Sequence, residues 1–173
     1  ARELAASGNK ILTTTTTQIM MPDKKISPIS LLTNSIDELI QKSKAALQKY
    51  PHFSAGSQYD QQSGKLKGLR PNMIDELAET GLFDYIIVEA DGSRQKPLKA
   101  SDSHEPVLPK SSSMLILLAG MDAVGLPLDE EHIHRPEIFS KNTGLALGKT
   151  VDEPSVAAAL DAELKKATGL CMA

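Results

Sequence analysis

A continuous apolar run that ends abruptly in acids constrains this chain more than any other feature: Tyr85-Ile86-Ile87-Val88 passes directly into Glu89, Ala90, Asp91 and Gly92. A short run without polar alternation predicts a strand buried on both faces, as inside a parallel sheet covered by helices. Met114 to Ala119 repeats the pattern before Gly120-Met121-Asp122 and predicts another such strand.

Helical signals alternate with these runs. Ser35-Ile36-Asp37-Glu38 has the form of a capping box, and Ile36, Leu39, Ile40 and Leu47 follow at helical spacing. Pro71 to Thr80 carries Met73, Ile74, Leu77 and Ala78 between an N-terminal proline and Gly81, and predicts a short helix. Val156, Leu160 and Leu164 predict a stripe on a helix from Pro154 to about Thr168, opposed by Asp161, Lys165 and Lys166. Ala1 to Ser7 reads as the end of a helix that Gly8 closes, and the β-branched run from Asn9 to Thr17 reads as the strand after it. Phe53 to Leu69, with Gly56, Gly64 and Gly68, reads as a short hairpin or an excursion. The alternation predicts an α/β fold of three layers, a mostly parallel sheet flanked by helices, in a single domain over residues 1–173.

Composition narrows the function. With 40 % hydrophobic and 24 % charged residues, 173 residues suffice for a real core. A net charge of -3, scattered basic residues and 3 % aromatic content supply neither the electrostatic footprint nor the stacking platform of a nucleic-acid binder. The apolar run from Met114 to Gly120 is far shorter than the roughly 20 residues of a membrane helix. A single cysteine, Cys171, excludes an internal disulfide and fits a reducing, cytoplasmic setting; alone it reads as an incidental thiol rather than a nucleophile.

Ligands of parallel sheets collect beyond the carboxyl ends of strands, which directs attention to Glu89 and Asp91. Two residues apart, they can face one side, hold Mg²⁺ through its waters or orient an attacking water, with Gly92 allowing close approach. An acidic turn or helix cap is the simpler alternative. Thr13, Thr14, Thr15 and Thr16 mark another strand end, where hydroxyls can meet phosphate or a phosphate-bound metal, or can serve only the strand. Gly144 to Thr150 imitates a phosphate loop but has three residues between its glycines instead of four, and reads as the connection to the last helix. His132 and His134 can share one face of an extended segment and bind a transition metal with help from His104 or Glu105; anion or partner recognition led by Arg135 is the competing reading.

Taken in order, Lys10 to Thr16, Lys65-Leu66-Lys67-Gly68-Leu69, Val88 to Arg94, Pro97-Leu98-Lys99, His104-Glu105-Pro106, Gly120 to Ala123 and His132-Ile133-His134-Arg135-Pro136-Glu137 resemble the YqeC family over nearly the whole chain. The resemblance implies a P-loop NTPase-like fold and an accessory role in maturing selenium-dependent molybdenum hydroxylases in the bacterial cytoplasm. It implies that nucleotide, ATP or GTP, with Mg²⁺ would meet the threonine tract, Glu89 and Asp91. Gly92, Ser93, Arg94, Lys99, His104, Glu105, Asp122 and Arg135 would be further cofactor-binding positions. A delivery module for a metal, a selenium species or a molybdopterin-type cofactor, using Asp91, His132 and His134, is the alternative. The family's Gly-Lys-Thr loop is expected before the helix ending at Gly8, and the family sequence is expected to continue past the last helix; a first strand and P-loop would then lie outside this chain.

Overall fold

The computed structural model describes residues 1–171 and divides into two compact units, residues 1–90 with 107–111, and residues 91–106 with 112 onward. In the first unit α1 (Arg2–Ala6) ends before Gly8, whose φ of +89° takes the left-handed turn expected there, and β1 (Ile11–Thr15) follows. Two short strands that polar, proline-rich sequence conceals come next, β2 (Gln18–Met20) and β3 (Ser30–Leu32). Then follow α2 (Ile36–Leu47), β4 (His52–Gly56), β5 (Gln58–Asp60), β6 (Lys65–Lys67), α3 (Pro71–Glu79) and β7 (Tyr85–Glu89).

The main sheet is parallel, in the order β3-β4-β1-β7. Its register sets Leu12 beside Phe53 and Ile86, and Thr15 beside Glu89. Leu12, Phe53 and Ala55 pack against Leu39 and Ala46 of α2 and against Met73, Ile74 and Leu77 of α3, with Ile86 and Val88 at the margin. Complete burial of a side chain such as Leu39 or Phe53 contributes about 1.5–3 kcal/mol, so this layer dominates the unit's stability. The capping box is half realised: Ser35 Oγ accepts from the Glu38 amide at 3.4 Å, while the Glu38 carboxylate turns to Thr33 Oγ1 and Lys42. The small antiparallel sheet, in the order β2-β6-β5, is fastened where Gly68 N–H donates 2.7 Å to Thr17 O and Leu69 N–H donates 2.8 Å to Thr15 O.

One expectation is extended here and one corrected. The 53–69 stretch contains the expected short hairpin, β5 paired antiparallel with β6, but it begins inside β4, every residue of which is buried. The run at 85–88 is not buried on both faces: β7 is an edge strand, with Ile86 and Val88 half-buried while Tyr85 and Ile87 are 47 % and 40 % exposed.

The second unit contains β8 (Leu98–Lys99), a 3₁₀ turn (Met121–Ala123), β9 (Ile133–His134), α4 (Pro136–Thr143) and α5 (Glu153–Cys171). β8 and β9 pair in parallel, and Leu98, Ala123, Leu128, Ile133, Phe139, Val151 and Val156 form its core. The predicted stripe on α5 drifts: Val156 is buried, Leu160 half-buried and Leu164 exposed, so Ala159 and Ala167 carry the inward face instead. Residues 144–150 connect α4 to α5, turning at Gly144 (φ +78°) and Gly148 (φ +75°). Met114 to Ala119 forms no strand, and Met114, Ile116 and Leu118 stand exposed. The Cys171 side chain lies outside the described residues.

The fold is thus α/β, with a mostly parallel sheet flanked by helices. No helix among the described residues is long and apolar enough to cross a membrane.

Candidate functional site

The carboxyl ends of β1 and β7 lie side by side, because parallel pairing in register carries Thr13 to Thr15 along Ile87 to Glu89. Thr15 Oγ1 donates 2.8 Å to the Glu89 carbonyl and Thr16 N–H donates 3.0 Å to the same oxygen. Thr16 Oγ1 donates 2.7 Å to Val107 O, and Val107 N–H donates 3.1 Å to Ala90 O, so residues 107–111 tie off this edge. Thr14 Oγ1 donates to Ala55 O at 2.9 Å. The threonine hydroxyls therefore act first as fasteners of neighbouring strands, and the exposed Glu89 carboxylate is the acid that this edge presents to solvent.

On the face away from α2 and α3, a cavity of about 250 Å³ is lined by Thr13, His52, Ser54, Ile26, Ile87 and Glu89 among others. Its floor is a chain of hydroxyls: Thr13 Oγ1 lies 3.2 Å from His52 Nε2 and 2.8 Å from Ser54 Oγ, which donates 2.8 Å to Ser27 Oγ. Burial, with the terminal amine of Ala1 adding to it, lowers the His52 proton affinity. His52 escapes a sequence reading because the strand signal around it is brief, His52 and Ser54 alternating with Phe53 and Ala55 only until Gly56.

The second unit assembles several predicted residues into one ionic network. Lys99, its side chain only 9 % exposed, donates 2.7 Å to Glu105 Oε2 and 3.2 Å to Gly92 O, and lies 3.1 Å from Asp91 Oδ2. Arg135 grips the same Glu105 with a fork, Nη1 to Oε2 at 2.6 Å and Nη2 to Oε1 at 3.2 Å. Burial by itself would raise the Glu105 carboxyl; the bonds from Arg135 and Lys99 overcome it and pull the group down to about 2. The Arg135 guanidinium is correspondingly raised, chiefly by Glu105. Asp91 also accepts from Ser101 Oγ at 3.3 Å, and Ser101 N–H donates 2.7 Å to Glu163 Oε1. Lys166, expected on the solvent face of its helix, instead donates to the carbonyls of Ser101 and Asp102.

Other predicted positions fall outside this network. Asp122 is exposed in the 3₁₀ turn, and His104 is exposed, 4.0 Å from Asp102. Ser93 and Arg94 lie on the turn before β8, with Arg94 exposed at φ +54°. Asp91, His132 and His134 are not brought together as one cluster: among the described residues no three of His, Cys, Asp and Glu are grouped to hold a metal ion. His132 Nδ1 lies 2.7 Å from Asp129, and Asp91 is engaged by Lys99.

These features, the threonine-ended strand, the Glu89 to Arg94 exit and the Lys99-Glu105-Arg135 network, fall within residues 1–137, which match the profile of the YqeC protein family. The chain belongs to the YqeC family. It is 35 % identical over 161 residues to the uncharacterized protein YqeC of Escherichia coli strain K12, a match covering 87 % of this chain and 57 % of that protein. The chain thus spans a little over half the length of that YqeC relative. No solved structure matches it significantly.

Proposed function

We propose that this YqeC-family protein serves in the cytoplasm as a nucleotide-dependent accessory factor in the maturation of selenium-dependent molybdenum hydroxylases. ATP or GTP with Mg²⁺ would be held at the carboxyl edge of the parallel sheet. One observation carries the reading: the ends of β1 and β7 are immediate neighbours, with Thr15 paired to Glu89. Ligands of open parallel sheets gather at that edge, and an exposed carboxylate at a strand tip can hold the waters of Mg²⁺ or orient an attacking water. The threonines contribute by fixing that tip through Thr15 and Thr16, rather than by offering free hydroxyls. The client follows from the family resemblance alone.

Calorimetry on a protein with the full length of the family, with ATP and with GTP in the presence of Mg²⁺, tests the nucleotide. Binding of one of them, lost or weakened about tenfold in Glu89→Gln, is expected; heats no larger than buffer for both nucleotides would remove the reading. For the client, deleting the gene should lower selenium-dependent hydroxylase activity, and unchanged activity would remove the accessory role.

A further inference from the structure

The second unit carries a feature that a nucleotide at the sheet edge does not use. Two cations, the largely buried Lys99 and the forked Arg135, converge on a single carboxylate that arrives on the short loop 101–106. A structural ion pair needs one cation for one carboxylate; here a buried lysine and a bidentate arginine share Glu105 Oε2 at 2.7 and 2.6 Å. Beside them lies His134, 8 % exposed, whose ring nitrogens make no hydrogen bond among the described residues. Burial, then the charges of Arg135, Arg94 and Lys99, lower the proton affinity of that imidazole, leaving a neutral ring that can still donate one N–H to an anion. Arg94 makes no ion pair among the described residues. Arg94 and Arg135 both hold left-handed backbone, at φ +54° and +63°, which non-glycine residues adopt only where the surroundings impose it.

We propose that Arg94, Lys99, His134 and Arg135 form a binding site for a phosphate-like dianion, and that Glu105 is its internal stand-in, occupying the clamp until the ligand displaces it. Three cations and an imidazole offer more donors than two carboxylate oxygens can use, whereas a tetrahedral dianion presents enough oxygens for the arginine fork, the ammonium and the imidazole together. Asp91, 3.1 Å from Lys99, remains as the second counter-ion, so vacating Glu105 alone leaves the clamp with net positive charge. The site belongs wholly to the second unit and stands or falls independently of nucleotide binding by the sheet.

Inorganic phosphate titrated into the whole chain, with acetate at matched ionic strength as the monoanion control, provides the test. Calorimetry should show Glu105→Gln binding phosphate about tenfold or more tightly than the unaltered protein, with acetate far weaker, and Arg135→Gln should abolish the binding. A folded Glu105→Gln protein that gains nothing for phosphate overturns the proposal, as does equal gain for acetate and phosphate. Should that variant fail to fold, amide chemical shifts of the unaltered protein decide. Phosphate-induced changes centred on residues 94, 99, 105 and 135, and reduced in the exposed-site variant Arg94→Ala, support the site, and changes absent or unrelated to those residues sink it.

Discussion

Thr15 and Glu89 are in-register neighbours on adjacent parallel strands, and the Thr15 hydroxyl closes the pair by donating 2.8 Å to the Glu89 carbonyl. The completely buried threonine thereby fixes where the last residue of an edge strand can stand. The same oxygen accepts from the Thr15 side chain and the Thr16 amide, so the β7 tip is set by the chain that leaves β1.

Replacing Thr15 by valine keeps the shape and deletes the hydroxyl. The Glu89 carbonyl retains the Thr16 amide, but the Thr17 amide loses its 2.9 Å acceptor. A loss of about 1–2 kcal/mol is expected from urea unfolding. A variant as stable as the parent would show that the hydroxyl does not hold the tip.

Gly68 offers a harsher test of the same region. A Cβ there would stand 2.4 Å from Thr15 O and 2.6 Å from the Thr16 carbonyl carbon, both backbone atoms of the strand end. Because neither atom belongs to a flexible side chain, Gly68→Ala must push the β6 exit away from β1, at a cost of about 3 kcal/mol or more. Thermal melting should show a fall of many degrees, whereas Gly125→Ala, where an added Cβ meets nothing and only the positive φ is strained, should cost less.

What was legible in the sequence was local. The capped helix from Ile36, the proline-led helix at 71 and the strand through the threonines all depend on neighbours within a few residues, and each formed as its pattern predicts. β4 was hidden because the burial of His52 and Ser54 rests on Thr13 and Ser27, tens of residues away. Met114 to Ala119 misled for the complementary reason: apolar composition favours a strand, but a strand exists only where a partner edge supplies hydrogen bonds. Lys99, Glu105 and Arg135 each lie in a distinctive string of the sequence, yet Glu105 and Arg135 stand 30 positions apart and no spacing rule pairs them.

Acid should unlock that shared carboxylate. Glu105 is held at about 2 against an ordinary value of 4.5, so the folded state binds its proton less readily than the unfolded chain. The stabilisation is complete above the ordinary value, declines as pH falls below it, and is gone once pH drops through about 2. Unfolding midpoints between pH 5 and 2 should fall more steeply for the native protein than for Glu105→Gln. Parallel slopes for the two proteins would show that other carboxylates govern the acid limit.

His52 titrates in a higher window and on the other unit. Its proton affinity is lowered from the ordinary 6.5, first by burial and then by the terminal amine of Ala1, so the unfolded chain takes up the proton more readily than the folded one. Folding is favoured fully above 6.5, and the advantage is lost as pH falls through the depressed value. Protonation would also set a charge 3.2 Å from Thr13 Oγ1, at the head of the hydroxyl chain through Ser54 to Ser27. Stability measured between pH 7.5 and 5 should therefore decline in the native protein, and His52→Gln should be less stable at neutral pH but flatter across that interval. Histidine nitrogen chemical shifts followed over the same range identify the group directly: a midpoint for His52 at or above 6.5 would contradict the burial that sets this expectation.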